Sequence, residues 1–336
     1  MYLQGGPFGP AGLPRCNMHQ QQYMTGEWEM IPRYCWPADN LELAEYGYAY
    51  DFERNCNDQV HLCKPGASMC GLKAPVLARW RWQSALCSLL TFSAELFSAE
   101  IGNRFVGFVG DSLMVEQFES LKALMESQIT RKQNWDFFET VHGGRFQVTG
   151  AWHLVGHGNE SNPSHMSNMF SPKIVPGWRS TLSKADILVM NTGHHWHRVD
   201  PQFESYRAMV ETVMLAVSLD FHGSDIVFRT STWGHHDCAT FSSPLKDVPN
   251  ADHDPYSWLR AIYADSIWSD MAPAHLPSNI NFHVVNTSLT MLRPDGHVGV
   301  MVGSSGKAWE DCLHNFTRSC RLLELAFVQC ACQLGA

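Results

Sequence analysis

The chain has 336 residues, 45% hydrophobic and 17% charged, which is enough apolar material for one large core or a core with an appendage. A formal net charge of -9 argues against a nucleic-acid-binding surface, which is usually basic, and no polybasic run offers a grip on anionic lipid. No stretch reaches the ~18 consecutive apolar residues that a membrane helix needs.

Residues 1–15 are rich in Gly and Pro, so disorder is expected there. Met1 to Arg15 has neither a charged leader with an apolar core nor a cleavage site. Residues 16–95 form a cysteine-rich segment with little regular periodicity, expected to be dominated by loops. Six of the 11 cysteines (Cys16, Cys35, Cys56, Cys63, Cys70 and Cys87) fall here, with no Cys-x-x-Cys pair among them. Without that spacing, disulfides in an oxidising compartment explain them better than structural zinc, although the pairing is not legible. Asn159-Glu160-Ser161, Asn286-Thr287-Ser288 and Asn315-Phe316-Thr317 are glycosylation sequons, compatible with the same route. The cysteines point to a lumen while the N-terminus supplies no signal, so the chain is expected to lack its true start. The 12 Trp serve either as core filling or as stacking surfaces for sugar rings.

From about residue 96 the pattern changes to that of a second domain, running to residue 336 with an atypical tail from about 315. Phe105-Val106-Gly107-Phe108-Val109 is an apolar run ending in Gly110-Asp111-Ser112, as expected of a strand buried on both faces. Val115, Phe118, Leu121, Leu124 and Met125 then recur at helical spacing. Ile187-Leu188-Val189-Met190 is a second strand, stopping at Asn191-Thr192-Gly193, and a helix follows through Phe203, Tyr206, Met209, Val210, Val213 and Val217. Ile226-Val227-Phe228 and Phe282-His283-Val284-Val285 make the third and fourth strands, each with a polar tip. Apolar strands alternating with helices predict an α/β fold, a parallel sheet between helices. In such folds the chemistry sits beyond the carboxyl ends of the strands.

Ser112 follows a buried strand and opens a helix, a turn that exposes a hydroxyl and aims free N–H groups at it. Acyl transfer needs fixed donors of that kind for the tetrahedral oxyanion. The competing reading is a plain helix cap. A serine nucleophile requires a base, and the base an orienting partner. Asp311-Cys312-Leu313-His314 supplies both, and three-residue spacing on a helical turn would put Asp311 and His314 on one side. Asn191 and Gly193 could complete an oxyanion hole with a side-chain amide and a backbone N–H; a cap or turn is the alternative. His194, His195 and His197 cluster, as do His235, His236, Asp237 and Cys238, but neither set has zincin spacing, so no catalytic metal is expected.

Taken together these residues resemble the plant trichome birefringence-like family and its PC-esterase relatives, GDSL/SGNH-type polysaccharide O-acetyltransferases and acyl-esterases. Cys16 with Gly26-Glu27-Trp28, then Trp80-Arg81-Trp82-Gln83 with Cys87, resemble the landmarks of its cysteine-rich N-terminal segment. Gly110-Asp111-Ser112 with Gln117-Phe118-Glu119-Ser120-Leu121, Asn191-Thr192-Gly193-His194 with Trp196, Arg293-x-Asp295-Gly296-His297, and Asp311-Cys312-x-His314 resemble its later blocks in order.

The resemblance implies an SGNH-hydrolase-like fold, with Ser112 as nucleophile and Asp311 and His314 as its triad partners. Gly110, Asp111, Asn191 and Gly193 would support it, Ser112 N–H and Asn191 as oxyanion donors. It implies an acetylated Ser112 intermediate, an acetyl donor as co-substrate with no bound cofactor, and a cell-wall or extracellular polysaccharide as acceptor. A Golgi-lumenal or secretory location is implied, with membrane attachment only through an N-terminal anchor that this chain lacks. The alternatives are a glycan acetyl-esterase with the same triad and a catalytically inactive glycan-binding member. Two departures bear on the choice. Val115-Glu116 replace the usual Arg-Asn after the serine, and after His314 the chain reads Asn315-Phe316-Thr317-Arg318-Ser319 where the family has Trp-Cys-Leu-Pro-Gly. His297 is the stand-in candidate for the base.

Overall fold

A computed structural model describes residues 20–30, 80–89, 94–111, 129–135, 138–143, 147–151, 182–192, 202–248, 258–302 and 308–315, with positions 13, 14, 16, 113, 114, 117, 118, 121, 122 and 125. The chain divides into two compact units. One comprises Met1–Leu90, Thr232–Tyr256 and Ser288–Leu322, the other Thr91–Ser231, Ser257–Thr287 and Leu323–Ala336. Both are assembled from separated pieces of chain.

The second unit is built on a seven-stranded sheet in the order β4-β5-β6-β3-β7-β8-β9. Its strands are β3 (Phe105–Val109), β4 (Ile129–Trp135), β5 (Phe138–Gly143), β6 (Gln147–Ala151), β7 (Ile187–Met190), β8 (Asp225–Arg229) and β9 (Asn281–Val285). From β6 to β9 neighbouring strands run parallel, whereas β5 is antiparallel to β6 and β4 to β5. The parallel part bears out the expected fold class: apolar runs mark strands covered on both faces. Val106, Val109, Ile187, Leu188, Val189, Met190, Ile226 and Phe228 are all fully buried. Burial of each such side chain is worth roughly 1.5–3 kcal/mol, so these short runs contribute substantially to the unit's stability.

Helices flank this sheet. α1 spans Ala94–Ile101, α2 Glu204–Asp220 and α3 Trp258–His275. α2 puts Tyr206, Met209, Val210, Val213, Met214 and Val217 into the core, the spacing of a helix with one apolar face. α3 adds Ala264, Ile267, Trp268 and Ala272, and the Trp268 ring stacks on Phe228 of β8 at 5.1 Å. Helical backbone also follows β3, at Leu113, Met114, Gln117, Phe118, Leu121 and Lys122. Val115 and Leu124 of the expected helix lie outside the described residues.

After β3 the chain reaches β6 on one side, then returns to β7 on the other side of β3. The connections therefore reverse direction between β3 and β7, the topological switch point where open parallel sheets bind ligands at the carboxyl ends of their strands. Gly110-Asp111 and Asn191-Thr192 are the residues that leave those two ends.

In the first unit, β1 (Gly26–Met30) pairs antiparallel with β2 (Trp80–Ser84), and Trp28 stands opposite Trp82 with ring centroids 5.4 Å apart, edge to face. Such a cross-strand aromatic pair contributes about 0.5–1.5 kcal/mol beyond its buried area. Cys16–Cys87 is a disulfide, with Cys16 N–H donating to Ser88 O at 3.1 Å and Ser88 N–H to Pro14 O at 2.8 Å. The N-terminal cysteines are thus partly accounted for as expected, but the described part of the segment is a paired ladder rather than loops alone. Pro14, at the edge of the stretch expected to be disordered, is held by that bond. Cys35, Cys56, Cys63 and Cys70 lie outside the described residues. The unit's second ladder pairs β10 (His297–Val302) with β11 (Ala308–Asn315), antiparallel.

Candidate functional site

At the tip of β3 the backbone must pass very close to β7. A Cβ at Gly110 would lie 2.4 Å from the carbonyl oxygen of Asn191 and 2.6 Å from Met114 Cβ, so only glycine fits without displacement. Asp111 follows, 7% exposed. Its Oδ1 accepts the Leu113 N–H at 3.0 Å, and its carbonyl accepts the Met114 N–H at 3.0 Å. Asp111 therefore caps the helix that begins here, which answers one of the orphan donors of that terminus. Ser112, between the cap and Leu113, lies outside the described residues, as does Gly193.

Asn191 is fully buried at the tip of β7. Its backbone N–H donates to Val109 O at 3.2 Å, and its Nδ2 donates to Arg229 O of β8 at 2.8 Å. That leaves one amide hydrogen for another partner. Asn191 Oδ1, Asp111 Oδ2 and Gln117 Oε1 are buried with no hydrogen-bond partner among the described residues. Each unpaired polar atom costs on the order of 1–3 kcal/mol, and such costs concentrate at functional sites.

Behind this tip lies a polar layer that sequence reasoning did not single out. Tyr206 of α2 donates its hydroxyl hydrogen to Thr192 O at 2.9 Å and accepts Trp268 Nε1–H at 2.8 Å. Burial, then the charges of Asp265 and Asp111, push its phenol well above the ordinary range, so it stays protonated and able to donate. Asp265 of α3 receives both the N–H (2.8 Å) and the hydroxyl (3.1 Å) of Ser231. Burial pushes its carboxyl up to about 7, against the Ser231 bonds and the Arg229 charge that favour the ionised form. The signal available in sequence was an acid placed on the buried stripe of a helix, between Ala264 and Trp268.

The Asp311 and His314 positions require a correction. Both lie on β11, not on a helical turn. Extended backbone alternates sides with a period of two, so three-residue spacing no longer argues that the pair shares a face. The segment is held as a strand by tertiary partners: β10 along its length, His235 N–H donating to Cys312 O at 2.9 Å, and the Cys238–Cys312 disulfide. Asp311 is half-buried, and its Oδ1 accepts the Leu313 N–H at 3.2 Å. The His314 side chain lies outside the described residues.

His297 is fully buried, and its Nε2 lies 2.6 Å from His235 Nδ1. His235 Nε2 is 2.8 Å from Met291 O, which can only accept, so Nδ1 of the neutral ring is the acceptor and His297 Nε2–H donates to it. Burial lowers His235 to about 4, partly opposed by the Met291 bond and by Asp295. Beside them Arg293 makes a two-pronged ion pair with Asp295 (2.8 and 2.9 Å) and stacks 4.3 Å over the Trp28 ring. The Arg-x-Asp-Gly-His block is thus a buried, interlocked polar cluster. Of the other histidine clusters, His194, His195 and His197 lie outside the described residues. His236 pairs with Asp237 at 2.9 Å in an exposed position, and Cys238 is oxidised.

Comparison with known proteins bears on the second unit most directly. Residues 89–224 match the PC-Esterase family, described as a GDSL/SGNH-like acyl-esterase family found in Pmr5 and Cas1p. The chain is 27% identical to protein trichome birefringence-like 14 of Arabidopsis thaliana over 141 residues, 35% of this chain and 35% of that protein. It is 25% identical to protein trichome birefringence-like 13 of the same plant, over 71% of this chain and 69% of the other. Xyloglucan O-acetyltransferase 4 of Populus trichocarpa is 22% identical over 82% of this chain and 77% of its own. The first of these matches spans about a third of the relative's length. A solved structure of a small COPII coat GTPase from Encephalitozoon cuniculi aligns with a TM-score of 0.35 at 10% identity, covering 72% of this chain and 85% of that one, too slight a likeness to bear on the site. The match spans β3, the cap at Asp111, the antiparallel edge, β7 and α2, so it is this stretch, residues 89–224, that is similar to the PC-Esterase family of GDSL/SGNH-like acyl-esterases.

Proposed function

We propose that this chain is a polysaccharide O-acetyltransferase that works through an acetylated serine. The observation that carries the reading is the placement of Gly110-Asp111 and Asn191 at the switch point of the sheet. There a capped helix start follows directly on the position of Ser112, and a buried amide with one hydrogen to spare stands at the neighbouring tip. Helix N-termini and side-chain amides are the donors an acyl-transfer oxyanion requires.

In the proposed reaction Ser112 Oγ attacks the acetyl carbonyl as His314 takes its proton. Asp311 is proposed as the partner of His314 on the family resemblance, not on the β11 backbone, where three-residue spacing puts the two on opposite faces. Ser112 N–H and Asn191 meet the oxyanion, with Gly193 supporting. The donor's leaving group departs with that proton, leaving acetyl-Ser112. A sugar hydroxyl then gives its proton to His314 and attacks the acetyl carbon, and Ser112 leaves as the hydroxyl. No bound cofactor takes part. The acceptor class proposed is a cell-wall polysaccharide of the xyloglucan kind, as the name of one relative suggests, and the site of action the Golgi lumen or the secretory route. The disulfides support an oxidising compartment.

An esterase reading, with water in place of the sugar hydroxyl, is supported by the acyl-esterase description of the matched family. Labelled acetyl donor supplied with and without xyloglucan separates the two: label in the glycan marks the transferase, free acetate in both arms the esterase. Ser112→Ala should abolish both products and fluorophosphonate labelling. A Ser112→Ala protein that transfers acetyl at the normal rate overturns the proposal.

A further inference from the structure

α3 turns one acidic side chain toward the core. Ala261, Ala264, Trp268 and Ala272 are buried at helical spacing, and Asp265 is buried among them. A carboxyl group in that position is costly unless its oxygens are bonded. Both are bonded here to one residue, Ser231, two positions beyond Arg229 at the tip of β8. One turn further along α3, Trp268 holds the Tyr206 hydroxyl, which in turn holds the Thr192 carbonyl at the tip of β7. A single stretch of helix thus grips the tips of two adjacent strands. Between the two grips, Asn191 Nδ2 donates to the Arg229 carbonyl.

We propose that Asp265 is a positioning residue of the acyl-transfer site: by anchoring Ser231 it fixes the Arg229 carbonyl against which the Asn191 amide is oriented. This rests on the reading of Asn191 as an oxyanion donor. The amide must be aimed before the reaction starts, because donors that reorient during the reaction stabilise the oxyanion less. One of its two hydrogens is committed to Arg229 O, and that commitment determines where the other points. Asp265 sets the geometry without touching substrate.

Among the described residues, the charged and titratable groups facing Asp265 are Arg229, which favours the carboxylate, Asp111, which opposes it, and the Tyr206 phenol. Burial leaves the carboxyl titrating near neutrality. On protonation it can keep the Ser231 N–H bond only by donating its new hydrogen to Ser231 Oγ, which reverses that arm of the anchor. Asp265→Asn mimics this reversed state at every pH, since an amide accepts with one end and donates with the other.

The test uses the full chain and p-nitrophenyl acetate as acyl donor, with wild type, Asp265→Asn, Ser231→Ala and Ser112→Ala proteins. Asp265→Asn should lower kcat about tenfold with KM little changed. On the acid limb the wild-type kcat should fall with two protons, and that of Asp265→Asn with one, the proton of the histidine base. Wild-type kcat and an unaltered acid limb in Asp265→Asn overturn the inference. Should that variant fail to fold, Ser231→Ala, which removes only the hydroxyl arm, decides instead: a lowered kcat at unchanged KM supports the anchor, and full kcat overturns it. Failure of the parent reading looks different, because Ser112→Ala would then hydrolyse the ester as fast as wild type whatever the Asp265 variants do.

Discussion

At the residue scale, two buried groups titrate in opposite senses over one range. Asp265 is raised to about 7 from an ordinary carboxylate value, so the stability it contributes is present in acid and lost as pH rises through 7. His235 is lowered to about 4 from 6.5, so its contribution is present above 6.5 and lost as pH falls through 4. Between about pH 4 and 6.5 the two trends offset each other in the wild-type protein. Asp265→Asn should remove one of them. Its melting temperature, followed by circular dichroism, should fall more steeply than wild type below pH 6 and less steeply toward pH 8. Identical pH curves for the two proteins would mean that Asp265 does not titrate in this range. Gly110 gives a second prediction at this scale. Gly110→Ala must push the tips of β3 and β7 apart, because the new methyl group meets backbone at Asn191. A cost of about 1–3 kcal/mol in stability is expected. Acyl-transfer rate should fall by about a hundredfold, since a shift near 1 Å misaligns the donors. A variant that melts lower yet keeps its rate would show that the close approach matters only for packing.

At the element scale, legibility followed the solvent. β3, β7 and β8 could be read directly because strands covered by helices on both faces must be continuously apolar, whereas β9, at the edge of the sheet, is only half-buried and is read from the short run Phe282-His283-Val284-Val285. The run Ile187-Leu188-Val189-Met190 has no competing interpretation as a surface segment. β4, β5 and β6 escaped notice for the same reason reversed. Ile129-Thr130-Arg131-Lys132-Gln133-Asn134-Trp135 is a largely polar sequence, as an antiparallel edge can be. β11 misled in another way. Asp311-Cys312-Leu313-His314 is compatible with either a helical turn or a strand, and the decision comes from β10 and from Cys238, neither of them local. The tips at Gly110-Asp111 and Asn191 were legible because strand ends and cap residues share a local signature; Asp265 and Tyr206 were not, because their partners are far away in the chain. The cross-link to β11 yields a prediction. Cys312→Ser should destabilise the protein by about 2–5 kcal/mol, as loss of a native disulfide does. Exchange protection should drop first at His235 and along β10 and β11, measured by hydrogen–deuterium exchange. Unchanged protection there would show that β11 is held by its ladder alone.

At the scale of the whole molecule, the two disulfides bridge positions 71 and 74 residues apart, Cys16 with Cys87 and Cys238 with Cys312. Both lie inside the first unit, which has less regular structure in its described part than the second. A loop of that length closed by a cross-link lowers the entropy of the unfolded chain by about 4 kcal/mol in free energy. The second unit, with its apolar sheet and helices, has no disulfide among its described residues. Expression in a reducing cytosol should therefore damage the first unit selectively, leaving tryptophans Trp28 and Trp82 solvent-quenched while the far-ultraviolet signature of the sheet persists. A single cooperative loss of both signals on reduction would instead show that the units unfold together.

The chain changes unit at 90/91, 231/232, 256/257, 287/288 and 322/323. A ribosome therefore delivers the outermost pieces of one body first and nearly last, and the middle of the other in between. Neither body can be cut out by trimming an end, and β9 and α3 reach the sheet only after Thr232–Tyr256 has been made. Until then Phe228 lacks the Trp268 ring that stacks on it, so the nascent polypeptide carries an incompletely covered hydrophobic strand while residues 230–275 are added. That interval of partial cover is a direct outcome of the threading.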